Sequence, residues 1–291
     1  MSKRKTRDRQ LAKLAARRAA ERRKRRRQRI IAGAVAGAVA VSGITVAAVA
    51  FLGNNKPASN SQAGSTPTAT PSVSSAPSGT QTGTVNPQPA PRQVACGAKA
   101  PAGAGKPKPQ FSGPPPMTID RTKSYVATMV TSCGTITYKL LASQAPQTVN
   151  SFVFLAKHHF FDGQYVHRLD TSIDVVQGGD PTGTGSGGPG YQIPDELGEK
   201  PTYPPGTLAM AKGSAPNSGG SQFFIITGPN GHKLDANPVY TVFGTIASGL
   251  DVAHKIQRLP IKDPAAAKNG DLRGQQPKRA VYIDRVTIAA K

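Results

Sequence analysis

The sequence predicts a mainly-β fold, a closed antiparallel barrel with helical caps, over residues 118–291. Three observations predict it. From about Thr118 the chain breaks into many short runs rich in β-branched and aromatic residues. Gly and Pro turns separate these runs. Only two stretches show the 3.6-residue spacing of a helix.

The elements follow in order. Ser124–Thr131 and Gly134–Leu141 read as strands around a Ser132-Cys133-Gly134 turn. Pro146 sits where a first helical turn tolerates it, and Val149, Phe152, Val153 and Ala156 follow at i, i+3, i+4 and i+7, which makes one amphipathic helix. Further strands are expected at Val175–Gln177, Thr207–Met210, Gln222–Thr227, Tyr240–Ile246 and Val281–Ile288, with a second helix near Leu250–Leu259.

Upstream the texture differs. The chain has 291 residues with 31 Gly and 26 Pro, so much of it is unsuited to a core. Its net charge of +22 would suggest nucleic acid or an anionic surface as partner, but the distribution argues otherwise. Of 37 Lys and Arg, 15 precede Ile30 against only Asp8 and Glu21, leaving +13 on the first 29 residues and +9 on the rest. A folded body with a separate basic tail fits better than a nucleic-acid binder.

Residues 30–52 are 23 residues without a charge, long enough as a helix to cross roughly 30 Å of hydrocarbon, and are expected to form one transmembrane helix. The basic run ending at Arg29 places the N-terminus in the cytoplasm and everything after Leu52 outside, an extracytoplasmic body on a single-pass membrane protein. A cleaved signal peptide is the competing reading, since Ala48-Val49-Ala50 resembles a cleavage site, but both the basic and the apolar runs are long for one. Gly33 and Gly37 form a GxxxG that such a short-residue helix also produces by chance. The tail 1–29 either binds anionic lipid or only fixes topology. Residues 53–117, dominated by Pro, Ser, Thr, Ala and Gly, read as a disordered stalk. Cys96 and Cys133 have no metal-ligand neighbours. Outside the cytoplasm a disulfide between them would pin the stalk's end to the barrel, and two free thiols is the alternative.

Within the body, APQTVNSFVFLA (145–156), FFDGQYVHRL (160–169), VVQGGDPTGTGSGGPGY (175–191), GTLAMA (206–211), NSGGSQFFII (217–226) and YTVFGTI (240–246) resemble, in order, segments of the cyclophilin family of peptidyl-prolyl cis/trans isomerases. The resemblance covers roughly 170 residues and implies an eight-stranded barrel with two helices, no cofactor and no metal, and a groove that binds Xaa-Pro peptides. It implies Arg168 as the donor to the prolyl nitrogen, with Gln177 and Gln222 binding the peptide and orienting Arg168. It further implies a proline pocket and peptide contacts formed by Phe224, Leu234, Val175, Ala211, Lys212 and Tyr240.

That chemistry is physically economical. Amide resonance opposes rotation with a barrier of about 18–20 kcal/mol, and no bond breaks. The catalyst therefore needs a positioned donor and an apolar pocket, not a nucleophile or a titrating base. An arginine, charged at every physiological pH, suits the donor role. Three departures from the family pattern stand out. Asp174 occupies a position commonly Phe, unless Ile173 takes its place. Lys233 stands for the Trp, and Tyr240 for the His, of members that bind cyclosporin tightly. They imply modest activity and weak drug binding. A non-catalytic module that holds Pro-containing segments is the alternative function.

Two further motifs are set aside. Gly183-x-Gly185-x-x-Gly188 matches a dinucleotide fingerprint, but no strand–helix unit surrounds it. His158 and His159 are adjacent on a helix and so face different directions.

Overall fold

Among the described residues, ten strands carry the body. In the computed structural model, residues 78–91 and 93–290 are described. The basic tail, the expected span at 30–52, its GxxxG and the first part of the stalk lie outside them. Among the described residues no helix is long and apolar enough to cross a membrane.

Strand β1 (Gln81–Val85) pairs with β2 (Lys108–Phe111) in a separate two-stranded sheet. The main sheet takes β3 (Tyr125–Thr131), β4 (Gly134–Leu140), β5 (Arg168–Asp170), β6 (Val175–Gly178), β7 (Thr207–Met210), β8 (Phe223–Ile226), β9 (Val242–Ser248) and β10 (Ile283–Ala290) in the order 10-3-4-9-7-8-6-5. Helix α1 (Pro146–Lys157) and helix α2 (Leu250–Gln257) stand near the expected positions, and a third, α3 (Pro264–Lys268), was not expected. Five residues carry no apolar period. What starts α3 is Asp263, whose Oδ1 accepts the N–H groups of Ala265 and Ala266 at 2.9 Å each.

The sheet corrects the expectation of a closed barrel: it is an eight-stranded curled half-barrel. Its edge strands, β5 and β10, do not pair with each other. The chain before β5 does reach the other edge, through an isolated bridge between Tyr165 and Tyr282 and hydrogen bonds from Gly163 N–H to Ile283 C=O at 2.7 Å and from Val166 N–H to Val281 C=O at 2.8 Å. Closure stops there because Leu169, inside the three-residue β5, gives its N–H to Gln275 C=O at 2.8 Å. The segment 261–279 thus occupies the edge that a closing strand would need.

Alternation divides the hydrophobic residues of the central strands between two clusters. Val176, Leu208, Met210, Phe223 and Ile225 join the main core under α1. There Phe152 packs within 5.0–5.8 Å of Phe161, Phe243 and Phe223, ring centroid to ring centroid. Val175, Ala209, Phe224 and Ile226 belong to a second cluster on the opposite face, with Tyr203. The sheet is therefore buried on both faces here, which explains the unbroken apolar runs FFII and TLAM.

The stretch 78–117, read from composition as stalk, is built into the body. Phe111 is 2% exposed and contacts Phe154 edge-on at 4.9 Å. Lys108 is 4% exposed, its Nζ donating to the Asp162 and Gly103 carbonyls. Gly163, at φ +74°, touches Gly103 so closely that a Cβ would come within 2.0 Å of the Gly103 carbonyl carbon, so only glycine fits. Asn150 of α1 accepts from the Thr118 and Ile119 N–H groups and donates to the Pro116 carbonyl at 3.0 Å. Composition misled because only a few side chains of this strap, among them Ala95 and Phe111, are apolar and buried.

Cys96 is joined to Cys133 in the β3–β4 turn, Cα to Cα 5.1 Å, across 37 positions. Opening a loop of that size releases chain entropy equivalent to about 3–4 kcal/mol. Replacing both cysteines by Ala is expected to lower unfolding stability by about 3 kcal/mol, measured by urea titration of the full chain. Added reductant should reproduce the loss in the parent protein and have no effect on the variant.

Candidate active site

The second, outward cluster is the floor of a pocket of about 60 Å3 lined by Arg168, Ile173, Val175, Gln177, Ala211, Lys212, Phe224, Leu234 and Tyr240. Pairing register assembles it. Gln177 of β6 stands opposite Arg168 of β5 on one side and Phe224 of β8 on the other, and Ala209 of β7 stands opposite Phe224. Leu234 comes from a 3-10 helix, Pro229–Ala236, and Tyr240 from the turn entering β9. Tyr240 packs edge-on against Phe224 at 5.2 Å. Tyr203 fixes it from below, donating its hydroxyl to the Tyr240 carbonyl at 2.9 Å and accepting the Tyr240 N–H at 3.0 Å.

A larger groove of about 890 Å3 continues from the pocket along the Gly-rich loop 185–190 and past Ser218, Gly220 and Gln222. Arg168, Gln177, Ala211 and Lys212 line both. All nine residues anticipated from sequence are thereby brought together, Gln222 in the groove and the other eight in the pocket.

A polar relay runs along the shared wall. Arg168 donates to Gln177 Oε1 at 3.0 Å, Gln177 donates to Gln222 Oε1 at 3.0 Å, and Gln222 donates to the carbonyls of Gly185 and Gly187 at 3.1 and 2.9 Å. The amide orientations follow from this one-way chain of donors. The loop that accepts from Gln222 is turned by Gly183, at φ +71°, where a Cβ would fall 2.1 Å from the Tyr165 hydroxyl. Lys212 forms an ion pair with Asp195, both largely buried.

Sequence reading missed Asp170 and Gln275, which also bind the Arg168 guanidinium, each at 2.6 Å. Asp170 was legible, because residues i and i+2 of a strand share a face. Gln275 lies 107 positions away and left no local signal. Burial alone would raise the Asp170 carboxyl, but the Ser172 N–H and O–H and the Arg168 charge outweigh it and hold the group below the usual carboxylate range. His167, 4% exposed, is driven down to about 4 by burial, against the opposing pull of Asp180.

Asp174 does not enter the pocket; Ile173 does. Asp174 adopts φ +52°, a left-handed conformation that aspartate tolerates, and accepts the Asn230 N–H at 2.9 Å while packing on Gly228. It braces the start of the 3-10 helix that carries Leu234. Lys233, where the cyclosporin-binding pattern has Trp, donates to the Ser172 carbonyl at 2.8 Å.

A wall of antiparallel strands, a small apolar pocket and a guanidinium held by neighbouring side chains make up the site, which contains no titrating nucleophile. Residues 126–288 match the model of the family described as cyclophilin type peptidyl-prolyl cis-trans isomerase/CLD, and the chain belongs to that family. Probable peptidyl-prolyl cis-trans isomerase B of Mycobacterium tuberculosis is 47% identical over 145 residues, 45% of this chain and 46% of that protein. Peptidyl-prolyl cis-trans isomerase B of Bacillus subtilis is 45% identical over 119 residues, 40% of this chain and 80% of that protein. The chain thus spans less than half the length of the mycobacterial relative it matches. The crystal structure of a cyclophilin-type isomerase from Cryptosporidium parvum aligns with 58% of this chain and 99% of its own at 25% identity, with a TM-score of 0.49.

Two outcomes follow from this geometry. Because the folded state holds His167 neutral down to about pH 4 while the unfolded chain protonates it near 6.5, stability is fully present above 6.5. It is expected to fall by roughly 3 kcal/mol as pH drops from 6.5 to 4. Thermal unfolding across that range checks this, with His167→Gln expected to flatten the slope. Substituting Asp174→Phe, the residue expected from the family pattern, should lower stability by about 1–3 kcal/mol through left-handed strain and the lost Asn230 contact. It should not tighten binding of an Ala-Pro peptide, read by NMR titration.

Proposed function

We propose that this protein is a peptidyl-prolyl cis/trans isomerase acting on Xaa-Pro segments of exported or surface proteins. The observation that carries the reading is the shared wall. Arg168 borders both the apolar pocket and the groove, so a proline ring seated on Phe224, Leu234 and Tyr240 has its preceding amide beside the guanidinium. As the amide twists, its nitrogen loses conjugation and becomes a better hydrogen-bond acceptor. A fixed cation there binds the twisted state more strongly than either planar isomer, which lowers the barrier. Gln177 and Gln222, locked by the relay, offer fixed dipoles to the peptide backbone, and Ala211 and Lys212 offer the strand-end backbone beside it. Asp174, the residue that favoured a non-catalytic binding module, faces Asn230 instead of the pocket.

The reading places the isomerase outside a membrane, anchored by residues 30–52 with the basic tail 1–29 inside, where anionic lipid is its partner. The uncharged run, its basic flank and the Cys96–Cys133 bond support this, since disulfides persist in oxidising compartments. The concentration of positive charge in the tail argues against nucleic acid as a partner of the body.

The test is the exchange rate between cis and trans forms of a short Ala-Pro peptide, followed by NMR with the full chain in detergent. Arg168→Ala is expected to reduce catalysed exchange by about 100-fold or more while peptide affinity stays within about threefold. Equal, slow exchange by parent and variant would leave a binding domain and remove the enzyme.

A further inference from the structure

Arg168 is held by three acceptors on three separate parts of the chain. Its Nε donates to Gln275 Oε1 at 2.6 Å, its Nη1 to Gln177 Oε1 at 3.0 Å, and its Nη2 to Asp170 Oδ2 at 2.6 Å. A guanidinium has five N–H donors in one rigid plane. Three are committed, one on each nitrogen, and two remain for a ligand.

Each of the two unanticipated acceptors is itself immobilised. Gln275 is 6% exposed, its C=O accepts the Leu169 N–H at 2.8 Å, and its N–H donates to Leu272 C=O at 3.2 Å. The segment bearing it is stitched shut by hydrogen bonds from Lys262 N–H to Gln276 C=O and from Asp263 N–H to Gly274 C=O. Gln276 in turn donates to the Gly183 carbonyl at 3.1 Å, beside the groove loop. Asp170 has its other oxygen, Oδ1, occupied by the Ser172 N–H at 2.9 Å and hydroxyl at 2.6 Å, so the carboxylate cannot rotate away from Arg168.

We infer that Gln275 and Asp170 are positioning residues that fix the plane of the Arg168 guanidinium and present its two remaining donors to the bound Xaa-Pro amide. Without them a long, flexible arginine samples many rotamers, and the donor must be ordered anew in each transition state. With them the donor is set before the peptide arrives, and the segment 261–279 becomes part of the active site. The inference rests on the isomerase reading for its turnover readout only.

The experiment uses the full chain in detergent, labelled with 15N-arginine, as the parent and as Gln275→Ala, Gln275→Glu and Asp170→Ala. Two quantities are read: kcat and KM for an Ala-Pro peptide, and the water-exchange rate of the Arg168 Nε–H, identified by its loss in Arg168→Lys. Gln275→Ala and Asp170→Ala are each expected to lower kcat about tenfold with KM within about twofold, as misplacement of a reacting group does. Gln275→Ala should also accelerate Nε–H exchange. Gln275→Glu, which retains an acceptor oxygen, should restore both quantities to within about threefold of the parent. Unchanged kcat and unchanged exchange in Gln275→Ala would overturn the inference. So would a loss that Gln275→Glu fails to restore while the Nε–H stays protected, since Gln275 would then be structural. If Arg168→Ala itself retained turnover, the donor role of Arg168 would fall with the enzyme intact, and Nε–H exchange alone would decide whether Gln275 fixes the guanidinium.

Discussion

Side-chain alternation across β6, β7 and β8 is the constraint on which core and site both depend. Phe223 fills the interior against Phe152 and Phe161, and its neighbour Phe224 floors the outer pocket. A slip of one residue would turn Phe223 and Ile225 outward and bring the polar Gln222 to the core face. Register is therefore specified twice, once by each face. The Ser221 hydroxyl adds a pin, donating to the Gly179 carbonyl at 2.7 Å at the point where β8 begins.

On this frame the apolar and polar parts of the site are physically separated. The apolar part is an outer-face cluster whose shape comes from packing. The polar part is a line of donors and acceptors from Gln275 and Asp170 through Arg168, Gln177 and Gln222 to the Gly-rich loop. Every link is held by backbone or by a neighbour that is itself held. Under the isomerase proposal, bond rotation asks for little else: the environment must stay fixed while the substrate turns within it. The deeply buried imidazole of His167 lies beside the relay in its neutral form at neutral pH and contributes no charge to it.

Much of this was legible in the sequence. The period-two runs of β3 and β4 and the Pro146 start and 3.6-residue spacing of α1 located much of the sheet and its first helix, and the HR, QGGD and GGSQFFI segments pointed to Arg168, Gln177, Gln222 and Phe224, which the fold brings to one pocket and groove. The open edge was not legible, because it depends on Gln275 meeting Leu169 across more than a hundred residues. The three-residue β5 was missed because its length gives no pattern, and β10 was placed two residues early because Val281 and Tyr282 continue its apolar character. The strap at 78–117 was read as stalk for a related reason. It has one buried aromatic, Phe111, and otherwise joins the body through a disulfide, the small buried Ala95, backbone hydrogen bonds and a buried lysine, none of which leaves a hydrophobic pattern. Asp174 shows the converse: its identity pointed to a damaged pocket, and one left-handed residue turned it outward.

The order in which the strap is fastened has a mechanical meaning. A pull on the chain ahead of residue 78 would first meet β1, which is held to β2 by hydrogen bonds that yield one after another. Beyond it stands Cys96, bonded covalently to the β3–β4 turn. Load would thus meet a short peeling ribbon, one hydrogen bond from Gln88 N–H to Thr182 C=O, and then a covalent stop at the β3–β4 turn. The Cys96–Cys133 bond so gives the strap a fixed end that side-chain packing alone would not supply.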